Sequence, residues 1–111
     1  MDAIKRGDVV TVAGSGDFAG KPRPAVVVQS DLFNETHASV TVVPVTTTLV
    51  DAHLFRVRVR STTANGLRKT SDAMVDKITS VRRDRVRARI GALSGSDVGR
   101  LDAALRIWLS L

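Results

Sequence analysis

Cysteine is absent from this chain, and histidine occurs only twice, at His37 and His53. Without thiols there is no disulfide, no thiolate-bound zinc and no cysteine nucleophile, and two histidines cannot make a histidine-rich metal site. Long apolar runs are missing as well: nothing approaches the roughly 20 residues that a membrane helix requires. The start of the chain, Met1-Asp2-Ala3-Ile4-Lys5-Arg6, lacks the apolar core of a signal peptide. These absences lead us to expect a cytoplasmic protein with no membrane partner, no metal and no cofactor.

What is present describes an ordinary folded domain. The hydrophobic fraction is 43% and the charged fraction 25%, far from the composition of disordered chains. With 111 residues there is room for one core and not two, so residues 1–111 are read as a single domain. There is no internal repeat, low-complexity segment or linker. The formal charge of +6 is uneven: residues 1–50 carry four basic and five acidic side chains, residues 51–111 thirteen and six. A one-sided positive field attracts polyanions through phosphate neutralisation and counterion release, which puts nucleic acid first among partners. A merely solvated basic face fits the same composition.

Val9-Val10-Thr11-Val12 is a β-branched run followed by the breaker-rich stretch Ala13-Gly14-Ser15-Gly16-Asp17, read as a strand and then a loop reaching Pro24. Ala25 to Gln29 is continuously apolar up to its last residue, the mark of a strand covered on both faces, and Ser39 to Val45 gives a third strand. Pro44 near its end suggests an edge or a bulge. Phe55-Arg56-Val57-Arg58-Val59-Arg60 alternates strictly, setting three arginines on the face opposite the core. Asn65-Gly66 lies in a polar connection of 11 residues and signals a turn back to Asp72-Ala73-Met74-Val75, with Ile78 and Val81 extending that strand. Arg82 to Arg89 reads as a turn and a short strand.

Ser94-Gly95-Ser96-Asp97 resembles a capping box, in which the Ser94 hydroxyl and the Asp97 carboxylate satisfy free N–H groups. Val98, Leu101, Leu105 and Trp108 then recur at helical spacing and form one stripe. Five or six strands followed by one capped helix predict an α+β, mainly β protein: a small, strongly bent barrel-like sheet with the helix packed on it.

Several collinear segments resemble the MazF/PemK family of toxins: Arg6-Gly-Asp-Val-Val10, Arg23-Pro-Ala-Val-Val-Val28, Val43-Pro-Val-Thr-Thr47, and Asn65-Gly-Leu-Arg-Lys-Thr-Ser-Asp72 running into Val75-Asp-Lys-Ile78. Arg89-Ile-Gly-Ala-Leu-Ser94 and Leu101-Asp-Ala-Ala-Leu-Arg-Ile107 look like the end of the same family. The resemblance implies an SH3-like barrel with a C-terminal helix, a homodimer with single-stranded RNA along its interface, and a cognate antitoxin, acidic and with a flexible tail, that covers the groove. It also implies cleavage of single-stranded RNA at a short preferred sequence. The ribose 2′-hydroxyl attacks the adjacent phosphate and leaves 2′,3′-cyclic phosphate and 5′-hydroxyl ends.

A substrate-borne nucleophile agrees with the sparse chemical inventory, because the protein then supplies only positioning and charge. Arg23 matches the family's catalytic arginine. It sits between Pro22 and Pro24, whose fixed φ angles restrict the backbone, and a planar guanidinium can donate two hydrogen bonds to a phosphate. Its bland counterpart is an arginine that ends a loop. Thr46 matches the active-site threonine and Thr47 is a contact residue, although strand-end threonines often bond nearby backbone instead. Arginine stays protonated and threonine is a poor base, so this pair provides no proton acceptor. His37 and His53 lie outside the matching motifs.

The first long loop, with Phe18 and Lys21, and the segment holding Asp76 and Lys77 occupy places that touch RNA in such toxins, and both depart from the common pattern. Phe18 can stack on an unpaired base or plug the core. Lys77, standing where glutamine is usual, favours a phosphate or base acceptor over a bidentate amide contact. The rows Arg56, Arg58 and Arg60, and Arg82 to Arg87, are candidates for phosphate tracking, antitoxin contact or plain solvation. A different class of function stays open: a gyrase poison of the CcdB kind, which acts by binding through the extreme C-terminus, here Leu109-Ser110-Leu111.

Overall fold

The structure is a computed structural model that describes residues 3–14 and 21–111. Strand β1 (Asp8–Val12) pairs antiparallel with β2 (Arg23–Val27), and β2 with β3 (Ser39–Thr46). Between β2 and β3 lies a four-residue helix, α1 (Asp31–Asn34), capped by the Ser30 hydroxyl. Strands β4 (Arg56–Val59) and β5 (Ser71–Met74) form a hairpin whose second strand joins the end of β3. A 3-10 turn, Val75–Lys77, leads into β6 (Thr79–Arg82), and a second, Arg83–Arg85, into β7 (Val86–Ala92). Helix α2 (Gly95–Leu109) closes the order.

The alternation of the central strands decides where the core lies. Val9, Val26 and Val43 face one cluster, with Val57, Val59, Ala73, Leu101 and Leu105, so α2 and the β4–β5 hairpin cover that side. Val10, Val27 and Val42 face the other, closed by Ile4, Val81 and Val86. Both faces of β1 to β3 are thus buried, which is why these strands read as continuous apolar runs. On α2, Leu101 and Leu105 are buried, whereas Trp108 stays 48% exposed beside Phe55. The Ser94 hydroxyl accepts the Asp97 N–H at 3.1 Å, but the Asp97 carboxylate turns to Arg100 at 2.6 Å. The expected capping box is half formed.

The expected small SH3-like barrel is corrected by the strand order, which runs β4-β5-β3-β2-β1-β7 with β6 attached to β3. The sheet is open: β7 pairs with β1 and β4 with β5, and among the described residues no pairing joins the two ends. Two local features explain this. The 3-10 turn Val75–Lys77 ends β5, so Ile78 and Val81 do not extend it, and Val81 belongs to the separate strand β6. At the other end, the loop between β4 and β5 packs on β7 in place of a strand, through the Ala92 N–H to the Ala64 carbonyl at 2.9 Å.

That loop contact depends on glycine. Gly66 adopts φ +71°, and a Cβ there would fall on the Ile90 carbonyl; a Cβ on Gly91 would fall on the Ala64 carbonyl. Among the described residues no helix is long and apolar enough to cross a membrane. Gly66→Ala should destabilise the fold by about 1–3 kcal/mol for the left-handed backbone alone, and Leu101→Ala, at a position 1% exposed, by about 2–5 kcal/mol. Urea unfolding measures both, and a Gly66→Ala midpoint equal to wild type would refute the close loop packing.

Candidate nucleic-acid interface

The register of the two central strands brings the candidate residues together. Ala25 pairs with Pro44, Val26 with Val43 and Val27 with Val42, which brings the start of β2, with Arg23, toward the end of β3, with Thr46. Pro22 and Pro24 flank Arg23 at the start of β2, and its side chain is exposed. Beside it opens a cavity of about 540 Å³ whose walls include Lys21, Arg23, Thr47, Arg68 and Lys69. Among the described residues its lining holds four cationic side chains and no carboxylate, an arrangement that attracts phosphate.

Of the residues expected from sequence, Lys21, Arg23 and Thr47 meet at this cavity. Thr46 is half-buried behind it, with its hydroxyl accepting the Thr48 N–H at 3.1 Å. Asp76 and Lys77 lie on the 3-10 turn that packs toward α2 and β3, and they do not line the cavity. Asp76 is half-buried with Oδ1 unpaired, while Lys77 is exposed. Phe18 lies outside the described residues. Neither histidine reaches the cavity: the His37 ring accepts the Ser39 N–H at 3.2 Å, and His53 lines a second cavity of about 400 Å³ between α2 and the segment before β4.

Sequence reasoning missed Arg68 and Lys69. Their motif was read as a turn, yet it contains the signal: Leu67 is buried at 9% exposure, and an apolar residue pinned in a polar connection forces its charged neighbours outward. The arginine rows proved to be of a different nature. Arg56 and Arg58 bind the buried Asp72 at 3.3 and 2.7 Å. Arg82 pairs with Asp84 at 2.7 Å, and Arg83 and Arg85 donate to the carbonyls of His37 and Ala13.

A family model for the PemK-like, MazF-like toxin of type II toxin–antitoxin systems matches residues 5–109. The chain belongs to this family. It is 45% identical over 108 residues to a probable endoribonuclease MazF of Mycolicibacterium smegmatis, covering 97% of this chain and 98% of that one. It is 34% identical over 116 residues to the endoribonuclease MazF9 of Mycobacterium tuberculosis, with the same coverage. In fold it is similar to a mycobacterial endoribonuclease solved with its cognate antitoxin, with a TM-score of 0.76 at 22% identity, over 100% of this chain and 97% of that one.

Among the described residues of this MazF/PemK-like chain the most buried charge is Asp72, which lines the second cavity and is paired in register with Thr46. Burial pushes its carboxyl up, but the hydrogen bonds from Arg58, the Val50 N–H and Arg56, with the charge of Arg58, outweigh that and hold it below the usual carboxylate range. Asp31 is also held down, first by the Arg6 N–H and then by Asn34.

A carboxylate whose folded value lies below its unfolded value of about 3.9 contributes stability that is complete above that pH. The contribution is lost as pH falls through the folded value. Urea midpoints measured from about pH 5 down to about pH 2 should therefore fall further in the wild type than in Asp72→Asn, both retaining the part due to Asp31. Parallel profiles would remove Asp72 from the acid response.

Proposed function

We propose that this toxin acts through the cationic cavity at the start of β2. It is a sequence-specific endoribonuclease that cleaves single-stranded RNA without a metal and is neutralised by an antitoxin. The observation that carries the site is the convergence of Arg23, Lys21, Arg68 and Lys69 on one wall system with Thr47. Both curated relatives are named endoribonucleases, which favours RNA cleavage over gyrase poisoning.

In this reading the ribose 2′-oxygen forms a bond to the adjacent phosphorus, and the bond from phosphorus to the 5′-oxygen breaks. The 2′-hydroxyl proton leaves, the departing 5′-oxygen gains one, and the ends are a 2′,3′-cyclic phosphate and a 5′-hydroxyl. Negative charge builds on the nonbridging oxygens, and Arg23 is the catalytic donor to them, aimed by its flanking prolines. Thr46 is the second catalytic residue, hydrogen-bonding a nonbridging oxygen or the attacking hydroxyl, and Thr47 and Lys21 contact RNA. Phe18, Asp76 and Lys77 are the remaining RNA contacts and help to set the preferred sequence.

The toxin works in the cytoplasm as a homodimer. Leu54, Phe55, Ile107, Trp108 and Leu109 are exposed, and the Phe55 and Trp108 rings lie with their centroids 6.2 Å apart. This is the apolar surface we assign to the second copy. The chain's +6 charge suits an acidic antitoxin tail.

Incubation with a long single-stranded RNA in EDTA, followed by mapping of the ends, tests the reading. Wild-type protein should leave 5′-hydroxyl ends at a recurring short sequence. Arg23→Ala should fold normally and lose about 10²- to 10³-fold in cleavage rate, the loss expected on removing a transition-state donor. Cleavage by Arg23→Ala at the wild-type rate would remove Arg23 from the chemistry.

A further inference from the structure

Arg56 and Arg58 face the same side of β4, opposite the buried Val57 and Val59. Neither lines the cationic cavity; both line the second one, of about 400 Å³. Their partners show what they hold. Arg56 Nη1 donates to the Thr48 carbonyl at 3.0 Å and to Asp72 Oδ2 at 3.3 Å. Arg58 donates through Nε to Asp72 Oδ1 at 2.7 Å and through Nη2 to the Val50 carbonyl at 3.4 Å. Asp72 Oδ2 accepts the Val50 N–H at 2.9 Å. Three residues from two adjacent strands therefore bind the backbone of the segment directly after Thr46 at Thr48 and at both polar groups of Val50.

Resting on the RNA-cutting reading above, we infer that Asp72, Arg56 and Arg58 form a clamp that positions Thr46 and Thr47 against the cationic cavity. Arg56 and Arg58 are then positioning residues, acting through backbone geometry and not by touching phosphate. Three features support this. Asp72 pairs with Thr46 in register, so the clamp is built on the neighbour of the threonine it serves. The segment it grips, Thr47 to Val50, is exposed and carries no strand pairing, so these hydrogen bonds, with that from the Thr48 N–H to the Thr46 hydroxyl, fix its path. Arg58 also divides its donors, Nε to a carboxylate and Nη2 to a carbonyl, a use of the planar fork that an ammonium group does not reproduce, whereas Arg56 makes both of its bonds through Nη1.

The test compares Arg56→Gln and, at the more exposed Arg58, Arg58→Gln and Arg58→Lys with wild type in single-stranded RNA cleavage at several salt concentrations. Thermal unfolding checks the fold, and amide hydrogen exchange is followed at Thr48 and Val50. A clamp predicts faster exchange at these amides and a kcat lower by about tenfold or more in all three, the scale of a misplaced reacting group. KM and the salt dependence should be little changed. Lysine at position 58 should not restore the rate although it keeps the charge.

If Arg58→Lys instead cuts normally while Arg58→Gln raises KM and lowers the salt slope by about one, Arg58 is a phosphate contact and the clamp is refuted. Wild-type rates and unchanged exchange in every variant would refute it as well. If the wild-type protein leaves RNA intact, the function reading fails by itself, and the exchange at Thr48 and Val50 still decides whether the clamp exists.

Discussion

Strand β3 has to satisfy two hydrogen-bonding edges with three partners, and the site follows from how it does so. The Thr41 N–H and carbonyl both point toward the β2 side, to the Gln29 side chain and to the Val28 and Gln29 amides. Alternation therefore turns Pro44 toward the other edge. On that edge β6 pairs with residues Ser39 to Val42 and β5 with Val45 and Thr46. Pro44 occupies the gap between the two partners, where a missing N–H leaves no ladder position unfilled. The gap lets the sheet divide, and beyond it the end of β3, near the start of β2 that carries Arg23, pairs with Asp72.

A burial argument explains why Asp72 can sit there. An ionised carboxylate at 0% exposure is tolerated only when paired and hydrogen-bonded, and removing one partner leaves an uncompensated charge. Asp72 has two guanidinium groups and one backbone N–H, all from residues within the β4–β5 hairpin or the segment leading to it. The basic surplus of the second half of the chain is thereby divided. Part of it is internal structure, at Arg56, Arg58, Arg83 and Arg85. Part remains turned to the cavity, at Arg68 and Lys69.

The sequence was legible where side-chain periodicity follows burial. The apolar runs of β1 to β3, the alternation of β4 and the stripe of Leu101 and Leu105 on α2 match the two core clusters. It was not legible where the deciding contact is remote in the chain. Barrel closure depended on whether the loop at Gly66 or a strand meets β7, and no local pattern records that. Ile78 and Val81 continue the apolar signal of β5, which conceals the turn that separates β6. Trp108 keeps the helical spacing but falls in the last turn of α2, where the stripe runs out to Phe55 and solvent. In the site, Arg23 and Thr47 were singled out from two separate segments of the family resemblance and Lys21 from the first long loop, and the fold brings the three to one cavity. The role of Arg56 and Arg58 was hidden because their counter-ion lies 16 and 14 residues away.

A protein whose substrate brings its own nucleophile gains rate only from placing charge and restricting motion. This chain concentrates its rigid features around one cavity. Prolines flank Arg23, the Gly66 turn seats the loop of Arg68 and Lys69 on the backbone of β7, and Leu67 fixes that loop from beneath. The Thr46 hydroxyl, which already accepts the Thr48 N–H, has lone-pair and donor capacity left for a phosphate or a ribose hydroxyl. The same bond that gives Thr46 an ordinary structural role therefore also fixes its rotamer, so the structural and catalytic readings of this residue support each other.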